Sequence, residues 1–346
     1  MRQMLSRSAV LVILAGAGLT ACLRNGGTPV RSNLVPTGLN AAASRADEPV
    51  FGNTVTNIRR VLQKPYNGTL RFVVMGDNRN SSPISTGGNK VYAKVIEAVN
   101  QLKPDFVVNM GDFTFDALKP HWTTFERITG KVQVPYLTVV GNHDILFGRS
   151  YYETRYTQPN PETGLDDYSF DYGNSRIIAL DSANYNLTDR QFVWLEKQYQ
   201  TPLKKFVFTH TPPRYGVWDH KLSPSPEISA RFMGLNEKYH VDHVFLGHIH
   251  LYDKRVINGV PYVVSGGAGA PLDRGKDYGE NKYHVSLVEV TGNQVSERMV
   301  PIQTRIQTHG PTTYTHGLEA NQMTDTVLRN FPSDYIPPEE IGRAHV

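Results

Sequence analysis

Asp77, Asp112, Asn142, His210, His248 and His250 each stand at or just past the end of an apolar run, and four of the six follow a glycine. Carboxylates and neutral imidazoles in one set suit borderline divalent ions such as Mn, Fe or Zn, whereas an oxygen-only set would favour Mg or Ca. Six donors exceed what one ion with an open position requires. Two ions roughly 3.5–4 Å apart, sharing a carboxylate, would use them all and would clamp the attacking and leaving oxygens of an in-line displacement at phosphorus. Each residue alone has a plainer reading, because Asp and Asn favour turns and a lone His is commonly just a hydrogen-bonded side chain. The signal is the repetition. His248 and His250, two apart on an extended segment, point to the same side.

Short apolar runs alternating with helical periodicity indicate an α/β or layered α+β domain from about residue 68. The runs at 70–75, 106–110, 134–140, 205–208 and 241–246 read as strands, and their carboxyl ends converge on one crevice. Val91, Val95, Ile96, Val99 and Leu102 recur at helical spacing after the first strand. Thr188 and Gln191 form a capping box for a helix bearing Phe192, Leu195 and Tyr199 on one face. Residues 262–264 run into Ser265-Gly-Gly-Ala-Gly-Ala-Pro271, a tight turn at the crevice edge; it lacks the Lys-Ser/Thr ending of a phosphate loop. Residues 285–290 and 295–302 read as a closing hairpin around Thr291-Gly292-Asn293.

The ordered blocks Gly-Asp77, Gly-Asp112, Gly-Asn142-His143-Asp144, His210 and Gly-His248-x-His250, spaced 35, 30, 68, 38 and 2 residues apart, resemble the calcineurin-like metallophosphoesterase superfamily over about residues 70–300. The resemblance implies a four-layer αββα sandwich with two β-sheets flanked by helices. It also implies that Asp77 and His250 hold a first metal, that Asp112 bridges, and that Asn142, His210 and His248 hold a second. His143 would donate a proton to the leaving alcohol or stabilise developing charge. The nucleophile would be a hydroxide on the two ions.

Two positions depart from the superfamily pattern. Arg79 stands where most members carry a histidine ligand two residues after the first aspartate; its guanidinium is suited to gripping a phosphate, or to pairing with a nearby acid. Phe115 stands where purple acid phosphatases place an iron-binding tyrosine and where other branches place an Asp or His that orients the catalytic histidine. Asp116 next door is a weak substitute for that orienting role. Asp144 reads as a supporting residue, and His220 as the remaining histidine to watch for substrate contact.

The chain has 346 residues, 39% of them hydrophobic and 20% charged, so its fold rests on a hydrophobic core. A single cysteine excludes an intrachain disulfide and a Cys-based zinc finger. Its 36 basic and 32 acidic residues are interspersed, which indicates no specific nucleic-acid partner. Residues 1–21 have the basic start and apolar core of a secretory signal, too short to span a bilayer comfortably. Leu19-Thr20-Ala21-Cys22 resembles a bacterial lipobox, implying a lipid on Cys22 and an extracytoplasmic, membrane-tethered protein, on the periplasmic side or the cell surface. The expected organisation is therefore signal peptide 1–21, flexible tether and extension 22–66, catalytic domain 67–302 and a polar C-terminal extension 303–346. The expected function is hydrolysis of phosphate esters, with monoesters slightly favoured on account of Arg79. The alternatives are a phosphodiesterase on nucleotides or lipid head groups, and a non-catalytic surface binding protein with a degraded first metal site.

Overall fold

In the computed structural model the described residues are 53–218 and 223–304, with the backbone of 306–309 and 312–315. The signal segment, Cys22 and His220 lie outside them. Among the described residues no helix is long and apolar enough to cross a membrane.

A first sheet has the strand order β11-β10-β1-β2-β3, built from β1 (Thr69–Met75), β2 (Phe106–Asn109), β3 (Tyr136–Thr138), β10 (His284–Thr291) and β11 (Gln294–Pro301). The strands β1, β2 and β3 run parallel, and the expected closing hairpin β10–β11 lies antiparallel on the β1 edge, turning at Gly292 with φ 55°. A second sheet orders β4 (Tyr168–Tyr172), β5 (Ser175–Leu180), β6 (Lys204–Thr209), β7 (His243–Leu246), β9 (Val260–Ser265) and β8 (Tyr252–Ile257). Here β5, β6, β7 and β9 are parallel, with antiparallel strands at both edges. A short hairpin, β12 (Ile306–His309) and β13 (Thr312–Thr315), follows.

Alternation along β1 explains the layers. Phe72 and Val74 face the other sheet, where Phe72 meets Phe206 at 5.3 Å between centroids, while Phe106 of the neighbouring strand stacks beside it at the same distance. Val73 and Met75 face outward onto α2 (Gly87–Leu102) and α3 (Lys119–Thr129), packing among Val91, Val95, Trp122 and Phe125. On the far side, Val207 and Val244 pack against Phe192 and Leu195 of α5 (Asp189–Tyr199) and Phe232 of α6 (Pro226–Lys238). Each central strand is covered on both faces, which is why it reads as an unbroken apolar run. The architecture is the expected four-layer αββα sandwich. The Thr188–Gln191 capping box is present at the start of α5.

Two differences have physical causes. Helix α1 (Thr54–Leu62) forms within the stretch read as tether and extension; Asn53 caps it and Ile58 and Val61 bury against the inter-sheet core, while Arg59 and Arg60 mask its periodicity. The third strand is three residues long rather than seven, and past Val139, whose N–H still reaches the Asn109 carbonyl at 2.8 Å, the backbone turns to bring Asn142 to the crevice.

His284, fully buried at the start of β10, gives a pH-dependent stability. Its Nδ1 donates to the Lys282 carbonyl at 2.8 Å, its Nε2 has no partner, and burial pushes its pKa down to about 4. The folded state therefore holds the neutral ring. This contribution is fully present above the unfolded pKa near 6.5 and is lost as pH falls from there towards 4. The stability difference between wild type and His284→Gln is expected to shift by about 2 kcal/mol against wild type between pH 7 and pH 5. Urea unfolding at the two pH values measures it, and a constant difference would show that the ring titrates in the folded state as it does in the unfolded chain.

Candidate metal centre

The six sequence-predicted donors meet at the carboxyl ends of the parallel strands, and the carboxylates of Asp77 and Asp112 with His210 Nε2 lie within 4.8 Å of one another. Asp77 follows β1, Asp112 follows β2, His210 follows β6, and His248 and His250 lie beyond β7. Asp77, Asp112 and His248 have φ of 61°, 56° and 67°, left-handed values that non-glycine residues rarely adopt and that cluster where function demands a side chain's direction. Gly111, at φ +99°, lies so close to Gly141 that a Cβ on it would sit 2.4 Å from the Gly141 nitrogen. Only glycines there let the Asp112 and Asn142 turns touch.

Backbone carbonyls orient three of the four histidines. His210 Nδ1 faces the Met110 carbonyl at 2.7 Å, His250 Nδ1 faces that of Pro271 at 2.8 Å, and His143 Nδ1 faces that of Phe115 at 2.5 Å. A carbonyl oxygen only accepts, so each of these nitrogens carries a proton and Nε2 is the nitrogen left facing inward, a lone pair when the ring is neutral and a donor when it is protonated. His210 Nε2 then faces Asn142 Oδ1 at 3.0 Å and Asp112 Oδ1 at 3.3 Å. His248 Nδ1 faces the same Asn142 oxygen at 3.0 Å, and His250 Nε2 faces Asp77 Oδ1 at 3.5 Å. With the His210 ring neutral, its Nε2 lone pair is set against the oxygens of Asn142 and Asp112, a repulsion that a cation between them would relieve. The donor set thus fits divalent ions: Asn142, His210 and His248 on one side, Asp77 and His250 on the other, and Asp112 between.

Burial would push the Asp112 carboxyl up, but the charges of His210, His143, Arg79 and His248 hold it well below the usual carboxylate range. Burial draws His143 down while Asp112 draws it up, and the net direction is downward.

Asp144 has the supporting part expected of it. Its buried carboxylate accepts N–H groups from Asp112 and Phe113 at 2.8 Å, Gly141 at 2.9 Å and Thr114 at 3.1 Å. Asp144→Asn turns an amide against these donors and is expected to cost more than about 2 kcal/mol by stranding buried N–H groups. Urea denaturation reads this, and an unchanged midpoint would mean the turn holds without it.

Arg79 reaches the centre but pairs within it. Its Nε lies 3.1 Å from Asp112 Oδ2 and its Nη1 donates to the Asn80 carbonyl at 3.1 Å. Phe115 contributes through its backbone carbonyl, while its ring packs 5.8 Å from His143 and 5.9 Å from the Arg79 guanidinium. Asp116 does not orient His143; its Oδ1 is held by His121 Nδ1 at 2.5 Å and the Leu118 N–H at 3.0 Å. The Gly-rich stretch lies beside the centre as expected, since a Cβ on Gly266 would sit 2.9 Å from Asp77 Oδ2.

One supporting contact has no sequence signal. Arg149, six residues past His143, donates to Asp166 Oδ2 at 2.6 Å and to Asp181, tying the Asn142–His143 loop to the second sheet. These residues are far apart along the chain, and nothing local marks them as partners.

An αββα sandwich with such a donor set at its strand ends defines a metallohydrolase-type centre. A family model described as calcineurin-like phosphoesterase matches residues 70–252, and the chain belongs to that family. Acid phosphatase type 7 of Homo sapiens is 24% identical over 286 residues, covering 65% of this chain and 64% of that protein. Purple acid phosphatase 23 of Arabidopsis thaliana is 26% identical over 249 residues, covering 64% and 51%. A probable glycerophosphodiester phosphodiesterase of Arcobacter nitrofigilis is 31% identical over 176 residues, covering 47% and 63%. The chain thus spans less than two thirds of the length of these relatives. Among solved structures, the purple acid phosphatase PPD1 of yellow lupin matches with a TM-score of 0.56 at 19% identity, over 68% of this chain and 52% of that one. A dimetal phosphatase from Danio rerio matches with a TM-score of 0.53 at 12% identity, over 66% and 95%.

Proposed function

We infer that the protein is a metal-dependent phosphoesterase that hydrolyses phosphate esters at a two-metal centre, with monoesters slightly favoured. The observation that carries this reading is the inward convergence of Asp77, Asp112, Asn142, His210, His248 and His250 with His143 beside them. Two ions of the Mn, Fe or Zn type, when bound, would supply Lewis-acid charge to the phosphoryl oxygens and lower the pKa of water towards neutrality.

The chain's own residues do the rest. Phe115 fixes the His143 tautomer, so that Nε2, 3.9 Å from Asp112 Oδ2, is the nitrogen that handles the leaving oxygen's proton. Arg79 is half committed, through Nε to Asp112 and Nη1 to Asn80, and its Nη2 is the donor left to turn towards a phosphate oxygen. Phe115 brings no phenol oxygen to the centre, so an iron form would lack the tyrosinate colour of the purple enzymes. A lipid on Cys22 would hold the domain at the outer side of a bacterial membrane, where it would meet phosphorylated small molecules.

The test is metal analysis of protein lacking residues 1–22, with hydrolysis of a chromogenic phosphomonoester and phosphodiester assayed in parallel under added Mn. Two ions per chain with turnover, faster on the monoester, are expected. Faster diester turnover would favour the phosphodiesterase reading. One ion or none with no turnover would make the chain a binding protein that keeps the fold.

A further inference from the structure

The exposed apolar residues are not scattered. Among the described residues nine large hydrophobics stand exposed, and six of them, Ile84, Leu118, Leu146, Phe147, Tyr215 and Val217, lie on the four loops that follow Asp77, Asp112, Asn142 and His210. Ile84 is 83% exposed and Phe147 68%. These loops adjoin around the metal centre. His121 Nε2 meets the Pro83 carbonyl at 3.1 Å, which joins the Ile84 loop to the helix that begins after Leu118. The His143 ring meets the Phe115 carbonyl, which joins the Leu146 loop to the turn before Leu118. Trp218, next to Val217, shares a cavity wall with His248. Single exposed apolar residues are ordinary, but a set gathered around one mouth marks a contact surface.

The segment from Cys22 enters the domain at this same end of the sandwich. Thr54, the first residue of α1, has its Oγ1 3.0 Å from that of Thr138, the last residue of β3, and its N–H donates to the Tyr156 carbonyl at 2.7 Å. Just past the other end of α1, Lys64 Nζ donates to the carbonyl of Asp105, the residue before β2, at 2.7 Å. Helix α1 therefore runs against the parallel strands β2 and β3, and its start lies at their carboxyl ends, where the ligands are. Thirty residues, 23–52, separate Cys22 from Asn53, a reach of at most about 100 Å.

We propose that this apolar rim docks on the lipid bilayer that carries Cys22, seating the domain with its metal centre towards the membrane. This rests on the lipid that the functional reading places on Cys22, and it adds which face of the domain meets the membrane. A tether that enters the domain beside the rim keeps the rim near the bilayer, so docking is an intramolecular event. Each large apolar side chain withdrawn from water then favours the docked state by about tenfold or more.

The test uses the full chain produced in a bacterium and reconstituted in phosphatidylethanolamine–phosphatidylglycerol vesicles with brominated acyl chains, which quench tryptophan on contact. Trp122, Trp194 and Trp218 are buried, so an added surface tryptophan is the reporter. Phe147→Trp and Ile84→Trp are expected to be quenched, and Val193→Trp, on the exposed side of α5, is not. Adding Leu146→Asp and Phe147→Asp to the Ile84→Trp chain should lower its docked-to-free ratio by at least about tenfold, because the loops act as one surface. Mass spectrometry of the mature protein reads the acyl group on Cys22 separately. A lipidated chain whose Phe147→Trp and Ile84→Trp reporters stay unquenched overturns the bilayer as the occupant of the rim and leaves the anchor intact. Equal quenching at Val193→Trp overturns the orientation. Quenching of the rim reporters in a chain without lipid overturns the anchor and keeps the docking surface.

Discussion

Asp112→Asn is expected to give a folded protein that retains neither ion and whose turnover falls by more than about 100-fold, the upper end of what losing a hydrogen bond outside the ligand set costs a metal site. The substitution keeps the shape and the backbone contacts, including the Asp112 N–H held by Asp144 at 2.8 Å and the His143 N–H that reaches Oδ1 at 3.0 Å. What it removes is the one negative charge that faces His210, His143, Arg79 and His248 together. Two divalent ions placed in that gap without it would meet the Arg79 guanidinium with only the Asp77 carboxylate to offset them. Elemental analysis and a circular dichroism spectrum read the two parts separately. Retention of both ions by a folded variant would remove Asp112 from the bridging position.

The convergence of Asp77, Asp112 and His210 is legible in the sequence because of how their strands are buried. Phe72 and Val73, or Phe206 and Val207, face opposite apolar layers, so each strand is a clean run whose end is easy to place, and the ligand stands at that end. Strands β4 and β5 carry no such mark. Ser169 and Asp171 interrupt the first, and Ser175 and Arg176 open the second, with Arg176 paired to Asp171 at 2.6 Å across the edge of the sheet. Edge pairing of this kind makes polar residues compatible with a strand and hides it from periodicity.

The device that orients His143 was hidden for another reason. The superfamily pattern orients this histidine with an Asp or His side chain where Phe115 stands, and Asp116 is a weak substitute, but the acceptor is the Phe115 carbonyl, a group that every residue carries. Its direction follows from the turn after Asp112, where Asp112 has φ 56° and Asp144 gathers the N–H groups of Asp112, Phe113 and Thr114. Ligand identity is written in residue types. The strain and the carbonyl directions that aim the ligands emerge only when residues some thirty positions apart pack together.

That geometry sets the second large effect. His143→Ala is expected to slow hydrolysis of an alkyl phosphate by about 100-fold or more, within the range of general acid catalysis, while metal content stays near that of wild type. His143 contributes its N–H to Asp112 through the backbone, which alanine retains, and its ring is not among the converging ligands. Its Nε2, held 3.9 Å from Asp112 Oδ2, faces the centre from outside the ligand set. A proton donor matters most when the departing alcohol is a strong base, so the loss should shrink for an aryl ester whose phenolate leaves unaided. A His143→Ala protein with two ions and a smaller deficit on the aryl than on the alkyl ester would assign the proton to this ring. Equal deficits on both esters would instead make His143 a charge that stabilises the phosphoryl group, and unchanged turnover would take it out of the mechanism.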